Sequence, residues 1–371
     1  MRLKNILQLG IKELRVLRQD PIMIIFIVFA FTFAVYTAGT AVPETLNEAA
    51  IAVVDQDRSA LSNRIVDAFY PPHFEEPQMI SYDTMDRGLD EGRYTFAVHI
   101  PSGFQKDVLA GRQPGVQLNV DATRLGQAFT GSGYVQSIIN EEVRTFLRDR
   151  KGESEPPVKL ALRMRFNPNM NEAWFRSIME LVNNIVMLSI ILAGAALVRE
   201  HERGTMEHLL VMPVRPVEIV TSKILSMSLV VLLASAYSMY VIVHAVLSVP
   251  VQGSMLLFFG GVLVMLFSTT SMGIFLGNIT KSMPQFALLV ILLLLPLQML
   301  SGADTPRESM PDLLRYITLL SPSTHFVAFC KAVLFRGAGL AIVWPQLLSL
   351  IGIGGGLFAL ALRRFRTSVS V

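Results

Sequence analysis

The chain has 371 residues, of which 52% are hydrophobic and only 16% are charged. This composition is too apolar for a water-soluble protein of that length and is typical of an integral membrane protein. The formal net charge of +3 is too small to indicate nucleic-acid binding. A single cysteine, Cys330, excludes an internal disulfide and any metal site built from several cysteines.

The first 21 residues, MRLKNILQLGIKELRVLRQDP, alternate apolar and basic side chains with a helical period. The apolar stripe consists of Leu3, Ile6, Leu7, Leu14 and Leu17. We predict that residues 1–21 form an amphipathic helix on the inner membrane surface, which ends at Asp20-Pro21 where the chain turns into the bilayer. A plain cytoplasmic tail is the alternative. A cleaved signal peptide is disfavoured, because the apolar run that follows is too long and is preceded by this helix.

Apolar segments of about 20 residues, the length that crosses roughly 30 Å of hydrocarbon as a helix, recur along the chain. We predict six transmembrane helices, at residues 22–42, 177–198, 224–247, 254–278, 284–301 and 341–362. The fifth is short and contains Pro284 and Pro296, but its run ALLVILLLLPLQML would aggregate in water. It is therefore counted as a span.

Basic residues indicate the orientation of these helices. With the N-terminus inside, the inner segments 1–20, 199–223, 279–283 and 363–371 contain 13 Lys or Arg residues, whereas the outer loops 248–253 and 302–340 contain four. The excess of positive charge predicts that both termini are cytoplasmic. Residues 43–176 then lie on the outer side of the membrane.

Residues 43–176 contain 15 basic and 19 acidic residues and differ in composition from the rest of the chain. Alternating apolar residues predict strands at 51–55, 94–100, 116–121 and, most clearly, 158–166 (VKLALRMRF). Helices are predicted after Asp57 or Ser59 and over about 124–149. We therefore predict a polytopic α-helical membrane protein with an external α/β domain inserted between transmembrane helices 1 and 2.

Two charged patterns in this domain have more than one interpretation. Residues 55–57, DQD, resemble a carboxylate metal site, although a strand end followed by a helix cap explains them better. The basic face of the 158–166 strand consists of Lys159, Arg163 and Arg165. A solvated face is favoured there, and contact with a partner or with lipid headgroups is the alternative.

Motifs for several kinds of catalysis are missing from the sequence. No G-x-x-x-x-G-K-[ST] occurs, so the chain has no P-loop for ATP. The stretch HERGT has Thr205 where a zinc metalloprotease needs its second histidine, and no G-x-S-x-G elbow is present. We expect no enzyme active site, no bound metal and no cofactor held by this chain.

A few polar residues fall within the predicted spans and are candidates for a substrate path. They are Glu180, Asn183, Asn184, His244 and Gln298. Ordinary hydrogen bonds at the membrane interface explain them equally well. Glu180 is the only acid within a predicted span, which disfavours an ion-coupled secondary carrier.

The stretch REHERGTMEHLLVMP (199–213) places charged residues and a terminal proline between two long apolar runs. Gly204 and Thr205 offer a helix N-cap, Glu207 lies in the first turn and Pro213 follows the end. The apolar residues Leu209 and Leu210 would project from this short cytoplasmic helix, which indicates that it binds a partner. The alternative is a helix that packs only on its own bundle.

Residues 199–223, REHERGTMEHLLVMPVRPVEIVTSK, closely resemble the cytoplasmic loop of ABC-2 type transporter permeases, where RE-x-E-x-G-T-x-E and a following proline mark the coupling helix. Three further stretches are similar to other parts of that family: VDQDRSALSNRIVDAF (54–69), RFNPNMNEAWF (165–175) and the segment 300–339. The last resembles a pair of short re-entrant helices in the outer leaflet. The resemblance covers nearly the whole chain.

The spans and the composition divide the chain into residues 1–21, 22–42, 43–176 and 177–371. The resemblance implies that the last part has a coupling loop at 199–218 and a re-entrant-like segment at 302–340. It implies that coupling to a cytoplasmic ATPase uses Arg199, Glu200, Glu202, Gly204, Thr205, Glu207, Leu209 and Leu210. The ATPase would bind ATP and Mg. Further implied partners are a second permease subunit, a periplasmic membrane-fusion adaptor and membrane lipid.

The function implied is that of an exporter subunit in the bacterial inner membrane, which moves a drug-like molecule, a lipid or another amphiphile. Two alternatives stay open from the residues alone. One is a membrane-anchored sensor or scaffold with an external ligand-binding domain, and the other is an ion-coupled carrier.

Overall fold

The computed structural model describes residues 2–40, 48–121, 125–151, 172–204, 214–303 and 310–369. The chain divides into two compact units. The first comprises Met1–Val42 and Arg163–Val371, and the second is Pro43–Leu162. The predicted strand at 158–166 and most of the predicted coupling helix, residues 205–213, lie outside the described residues.

The first unit begins with an amphipathic helix, α1 (Leu3–Arg18). The Asp20 carboxylate accepts a hydrogen bond of 3.2 Å from the backbone N–H of Met23, and Pro21 occupies the first position of the next helix. Both features favour a new helix start directly after α1. This second helix consists of α2 (Pro21–Val28), a π-helical segment (Phe29–Ala34) and α3 (Val35–Thr40).

The second unit contains a four-stranded sheet with helices on both faces. Its elements in chain order are β1 (Ile51–Asp55), α4 (Ala60–Asp67), β2 (Gln78–Met79), α5 (Tyr82–Asp90), β3 (Phe96–Ile100), α6 (Phe104–Leu109), β4 (Gln117–Val120) and α7 (Leu125–Lys151). The strand order is β2-β1-β3-β4. β1 pairs in parallel with β2 and β3, and β3 pairs antiparallel with β4.

Alternating side chains of the central strands bury both faces of this sheet. Ile51 and Val53 of β1 join one apolar cluster with residues of α4, α6 and α7, while Ala52 and Val54 join another with Met85 of α5. Three of the predicted strands thus coincide with β1, β3 and β4. The short strand β2 was missed, because two exposed residues carry no alternation pattern.

The DQD stretch ends β1 and lies just before Ser59, the N-cap of α4, whose hydroxyl accepts a hydrogen bond of 3.1 Å from the backbone N–H of Ser62. The Asp55 carboxylate accepts hydrogen bonds from the backbone N–H groups of Asp57 and Arg58, each at 2.9 Å, and from the Ser62 hydroxyl at 2.7 Å. Asp57 accepts a bond of 3.0 Å from the backbone N–H of Gln105. Among the described residues no group of three His, Cys, Asp or Glu is arranged to hold a metal ion.

The remaining elements of the first unit are helical. They are α8 (Glu172–Glu202), α9 (Pro216–Tyr237) with a π-helical continuation (Ser238–Val246), α10 (Met255–Ile279), α11 (Met283–Met299), α12 (Asp312–Thr318), α13 (Pro322–Cys330) with a π-helical continuation (Lys331–Phe335), and α14 (Leu340–Val369).

Within the described part of the chain, five helices are long and apolar enough to cross a membrane. They are Pro21–Thr40, Ala173–Glu202, Pro216–Val246, Met255–Ile279 and Leu340–Arg366. α12 and the helix Pro322–Phe335 form a bent pair at 89°, which counts as a sixth candidate if the pair is one span. The chain is therefore a mostly helical, multi-pass membrane protein.

α11, at the position of the fifth predicted span, is a short apolar helix. It covers 17 residues, or roughly 25 Å at the helical rise, which is at the lower limit of the roughly 17–25 residues of a transmembrane helix. The predicted segment 284–301 is shorter as a helix because residues 300–303, after Met299, form turns instead of continuing it.

Glycines allow α8 and α10 to approach closely in the centre of the first unit. A Cβ atom added to Gly273 would lie 2.3 Å from the carbonyl oxygen of Ile190, and one added to Gly277 would lie 3.0 Å from that of Gly194. The nearby Ser189 hydroxyl donates a hydrogen bond of 2.6 Å to Thr269. Small residues at helix crossings permit this backbone contact in membrane proteins.

Candidate functional site

The C-terminal turn of α8 carries the first residues of the predicted coupling element. Arg199, Glu200 and Glu202 belong to this turn, and Gly204 follows it with a φ of +65°. Glycine adopts this left-handed conformation without a steric penalty and so ends the helix here. Thr205, Glu207, Leu209 and Leu210 lie outside the described residues, so that the coupling helix itself stays a prediction.

Glu200 belongs to a buried cluster of four charges that joins three helices. Its carboxylate pairs with Lys223 of α9 at 2.7 Å and with Lys12 of α1. Lys223 also pairs with Glu13 of α1 at 2.8 Å and donates a hydrogen bond of 3.3 Å to the Ala196 carbonyl oxygen. The side chains of Lys223, Glu13 and Glu200 are 1%, 6% and 8% exposed.

The cluster is electrically balanced, with two ammonium groups and two carboxylates. Buried charges are costly unless each has a partner, and an unpaired one costs about 3–5 kcal/mol. The pairing therefore holds α1, α8 and α9 in one relative position. Burial lowers the pKa of Lys12, but the hydrogen bond and charge of Glu200, with Glu13, outweigh burial and raise that pKa.

Arg199 and Glu202 are also held within the chain. Arg199 pairs with Asp20, the residue that caps α2. The Glu202 carboxylate accepts a hydrogen bond of 2.7 Å from the backbone N–H of Met283, at the first turn of α11, where the helix dipole favours a negative charge. The charged turn at the end of α8 thus contacts the starts of two other helices.

Glu218 of α9 holds the N-terminal end of α1. Its carboxylate accepts hydrogen bonds from the backbone N–H of Arg2 at 2.6 Å, the Asn5 side-chain amide at 3.1 Å and the backbone N–H of Arg215 at 3.2 Å. Glu218 lies in the first turn of α9, directly after the predicted coupling helix. Both chain segments that flank residues 205–213 are therefore bonded to α1.

Sequence reasoning assigned no role to Lys12, Glu13, Lys223 or Glu218. One signal was present: Glu13 shares a helical face with Ile6, Leu9 and Leu17, so that an acid stands in an apolar stripe. The buried face of α1 consists of these four residues, whereas Leu3 and Leu7 of the predicted stripe are exposed. Of the five residues of the predicted stripe, Ile6 and Leu17 are thus buried against protein.

The polar residues of the predicted substrate path have different environments. The Asn184 amide donates hydrogen bonds to the Ala30 carbonyl oxygen at 2.9 Å and to the Glu180 carboxylate at 3.2 Å. Asn183 and Gln298 are half-buried, and His244 is exposed. The bond to Ala30 supplies a partner to a carbonyl of the π-helical segment, which favours an ordinary structural role for Asn184.

The second unit contains a separate cavity of about 860 Å³ between α6, β4 and α7. Its lining includes apolar side chains such as Val108, Leu118 and Val143, and polar ones such as Gln136 and Asn140. Its volume and mixed lining are those of a small-molecule or peptide site.

Comparison with known proteins identifies the family. Residues 21–363 match the family described as ABC-2 family transporter protein. The chain belongs to this family. Membership implies a partner ATPase and a dimeric permease, and it confirms the resemblance carried by residues 199–223.

Individual relatives agree with this assignment over nearly the full length. The chain is 58% identical to the inner membrane transport permease YhhJ of Escherichia coli strain K12, over 99% of this chain and 98% of the relative. It is 25% identical to the probable multidrug ABC transporter permease YbhR of that strain, over 96% and 97%. A third relative, the probable multidrug ABC transporter permease YbhS, is 25% identical over 90% and 89%.

The family, the relatives and the helices together support a multi-pass transport permease of the inner membrane. The family match favours the permease role over the sensor and carrier alternatives. Its relatives are named as permeases, which indicates a transporter subunit and not an enzyme.

Proposed function

We propose that this chain is the membrane-spanning subunit of an ABC exporter, which moves a drug-like molecule, a lipid or another amphiphile across or out of the inner membrane. The family match over residues 21–363 carries the proposal. A separate ATPase binds ATP and Mg and supplies the energy. Two relatives are named as probable multidrug permeases, which supports an amphiphilic substrate.

Coupling to the ATPase is assigned to the end of α8 and the following segment, with Leu209 and Leu210 as its apolar contact. The ion pairs of Arg199 and Glu200 support this assignment, because they join the start of the coupling segment to α1 and to Asp20. A displacement of the coupling segment is then passed to α1, since separating the buried charges is costly.

The proposed orientation places both termini in the cytoplasm and residues 43–176 in the periplasm. The excess of basic residues in segments 1–20, 199–223 and 363–371 supports this orientation. In that position the α/β unit docks a periplasmic membrane-fusion adaptor. The second permease subunit is identical or homologous, and the two enclose a path with Glu180, Asn183, Asn184, His244 and Gln298 near its outer half.

Co-purification in mild detergent, followed by mass spectrometry, tests the coupling assignment. We expect an ABC ATPase with the wild-type chain and its loss from the double variant Leu209→Asp, Leu210→Asp, because charged side chains remove the apolar contact. The matched control is Leu209→Met, Leu210→Met, which keeps apolar volume and retains the ATPase. A folded Asp variant that still retains the ATPase contradicts the coupling role of these leucines.

The cavity of about 860 Å³ gives one observation in favour of a second function, ligand sensing by the α/β unit. A wild-type preparation that contains no ATPase but whose unfolding midpoint rises with an added amphiphile would support sensing. Loss of that rise on Val143→Trp, which fills the cavity, would locate the ligand there.

A further inference from the structure

A small groove lies in the angle between α1 and the first candidate span. Its volume is about 250 Å³, and its walls come from α1, α2 and α9. The lining residues are Leu14, Leu17, Arg18, Ile24, Ile27, Val28 and Val230. Six of these seven are apolar, and the seventh, Arg18, is exposed at the last turn of α1.

The groove continues an apolar surface that no described residue covers. Leu3, Leu7 and Ile11 of α1 are 73%, 59% and 49% exposed, and at helical spacing they lead along one face towards Leu14. Ile22 and Ile25 of α2 are 77% and 67% exposed on the first span. A basic helix with such a face lies in the plane of a membrane interface, with its apolar side in the acyl region.

Along the first span, the groove lies at the depth of the part of the acyl chains nearest to the headgroups of one leaflet. α2 begins at Pro21, so Ile24 and Val28 lie roughly 5–11 Å from the helix start at the helical rise. A lipid whose headgroup lies at the level of α1 therefore has its first methylene groups at the level of these residues.

The charge around the groove opening favours an anionic headgroup. Arg15 and Arg18 project from the last turn of α1, and neither has an ion-pair partner among the described residues. The two acids closest in sequence are engaged elsewhere: Glu13 pairs with Lys12 and Lys223, and Asp20 pairs with Arg199 and accepts a hydrogen bond from the backbone N–H of Met23. Two arginines without a counter-charge among the described residues, beside an apolar groove, fit a phospholipid with a net negative charge.

We propose that this groove binds one acyl chain of an anionic phospholipid, whose phosphate group contacts Arg18 and Arg15. The lipid wedges between α1 and α2 at the turn Gln19–Asp20. Its binding stabilises the position of α1, the helix that carries Lys12 and Glu13 of the buried charge cluster. The proposal needs only that α1 lies on the membrane surface and does not depend on the ATPase.

Native mass spectrometry of the full-length protein in detergent, with equal amounts of dioleoyl phosphatidylglycerol and dioleoyl phosphatidylcholine added, tests the proposal. We expect the wild-type protein to retain the phosphatidylglycerol preferentially. Arg18→Gln should lower the ratio of retained anionic to zwitterionic lipid about fivefold, the effect of one basic contact. The matched control Lys4→Gln removes an exposed charge at the other end of α1 and should leave the ratio unchanged.

A second pair of variants tests the acyl chain. Val230→Phe fills the groove and should abolish retention of both lipids, whereas Leu233→Phe enlarges an exposed residue of the same helix outside the groove and should not. If Val230→Phe lowers the thermal unfolding midpoint, Val28→Phe takes its place. An Arg18→Gln ratio equal to the wild type, or full lipid retention after groove filling, would overturn the proposal. The proposal would also be overturned if Val230→Phe converted a dimer to a monomer without loss of lipid. The groove would then be occupied by a second copy of the chain and not by a lipid.

Discussion

Lys223 of α9 and Glu13 of α1 form an ion pair of 2.8 Å between residues 210 positions apart in the chain. Lys223 is 1% exposed, and its second carboxylate partner, Glu200, ends the helix that leads into the coupling segment. One buried ammonium group thus joins the N-terminal surface helix to the helix that precedes residues 205–213.

Removing Lys223 alone should destabilise the protein. Lys223→Met leaves Glu13 and Glu200 buried with only the half-buried Lys12 between them, at a cost of about 3–5 kcal/mol. Adding Glu13→Leu restores electrical balance, because Lys12 and Glu200 then form a complete pair, and should recover most of the loss. Thermal unfolding of the purified wild type, single variant and double variant measures the loss of stability and its recovery. A double variant no more stable than Lys223→Met would show that charge balance is not the cause.

The same double variant separates stability from coupling. Lys223→Met, Glu13→Leu breaks the ionic link between α1 and α9 but leaves Leu209 and Leu210 intact. We expect the complex with the ATPase to assemble normally and to transport less substrate per ATP, by about threefold to thirtyfold, the range that altered coupling networks give. Transport and ATP hydrolysis measured together in proteoliposomes provide the ratio. An unchanged ratio would limit the cluster to a structural role.

The loss of stability caused by a glycine-to-alanine substitution in α10 should be larger where the added methyl group lies closer to α8. Gly273→Ala places a methyl group 2.3 Å from the Ile190 carbonyl oxygen and should destabilise by about 1–3 kcal/mol, as overpacking does. Gly277→Ala, at 3.0 Å from the Gly194 carbonyl oxygen, should have a smaller effect. Gly260→Ala is the control, since a Cβ there meets nothing within 4 Å. Unfolding midpoints in another order would contradict the close approach of α8 and α10.

Protonation of Asp57, whose carboxylate accepts a hydrogen bond from the backbone N–H of Gln105, should destabilise the α/β unit at low pH. Burial opposes ionisation of Asp57, but hydrogen bonds from Ser59 and from backbone N–H groups of residues 103–105 outweigh burial and lower its pKa. A carboxyl with a lowered folded-state pKa stabilises fully above its unfolded pKa of about 3.9, and this contribution disappears as the pH falls through the folded value.

Asp57→Asn removes that dependence. The unfolding midpoints of the wild type and the variant should differ most above about pH 5 and should converge at lower pH. The comparison isolates Asp57, because every other carboxyl is present in both proteins. A difference that is constant with pH would show that the charge of Asp57 does not contribute.

The sequence by itself determined the features that depend on local composition. Length and apolarity of a segment decide whether it can cross a bilayer, so that five of the predicted spans coincide with helices of sufficient length. The short apolar runs of IAVVD and β3 indicated buried strands for the same reason. The stretch 199–223 carried the family resemblance without any knowledge of the fold.

The tertiary structure alone decided which charges meet. The position of Glu13 in an apolar stripe indicates that it is buried, but nothing in the residues near Glu13, Glu200 or Lys223 indicates that the three share one site. Their pairing depends on how α1 lies against α8 and α9, which is a long-range property of packing. The two faces of α1 have the same origin, because helix packing buries Ile6, Leu9 and Leu17 and leaves Leu3, Leu7 and Ile11 exposed.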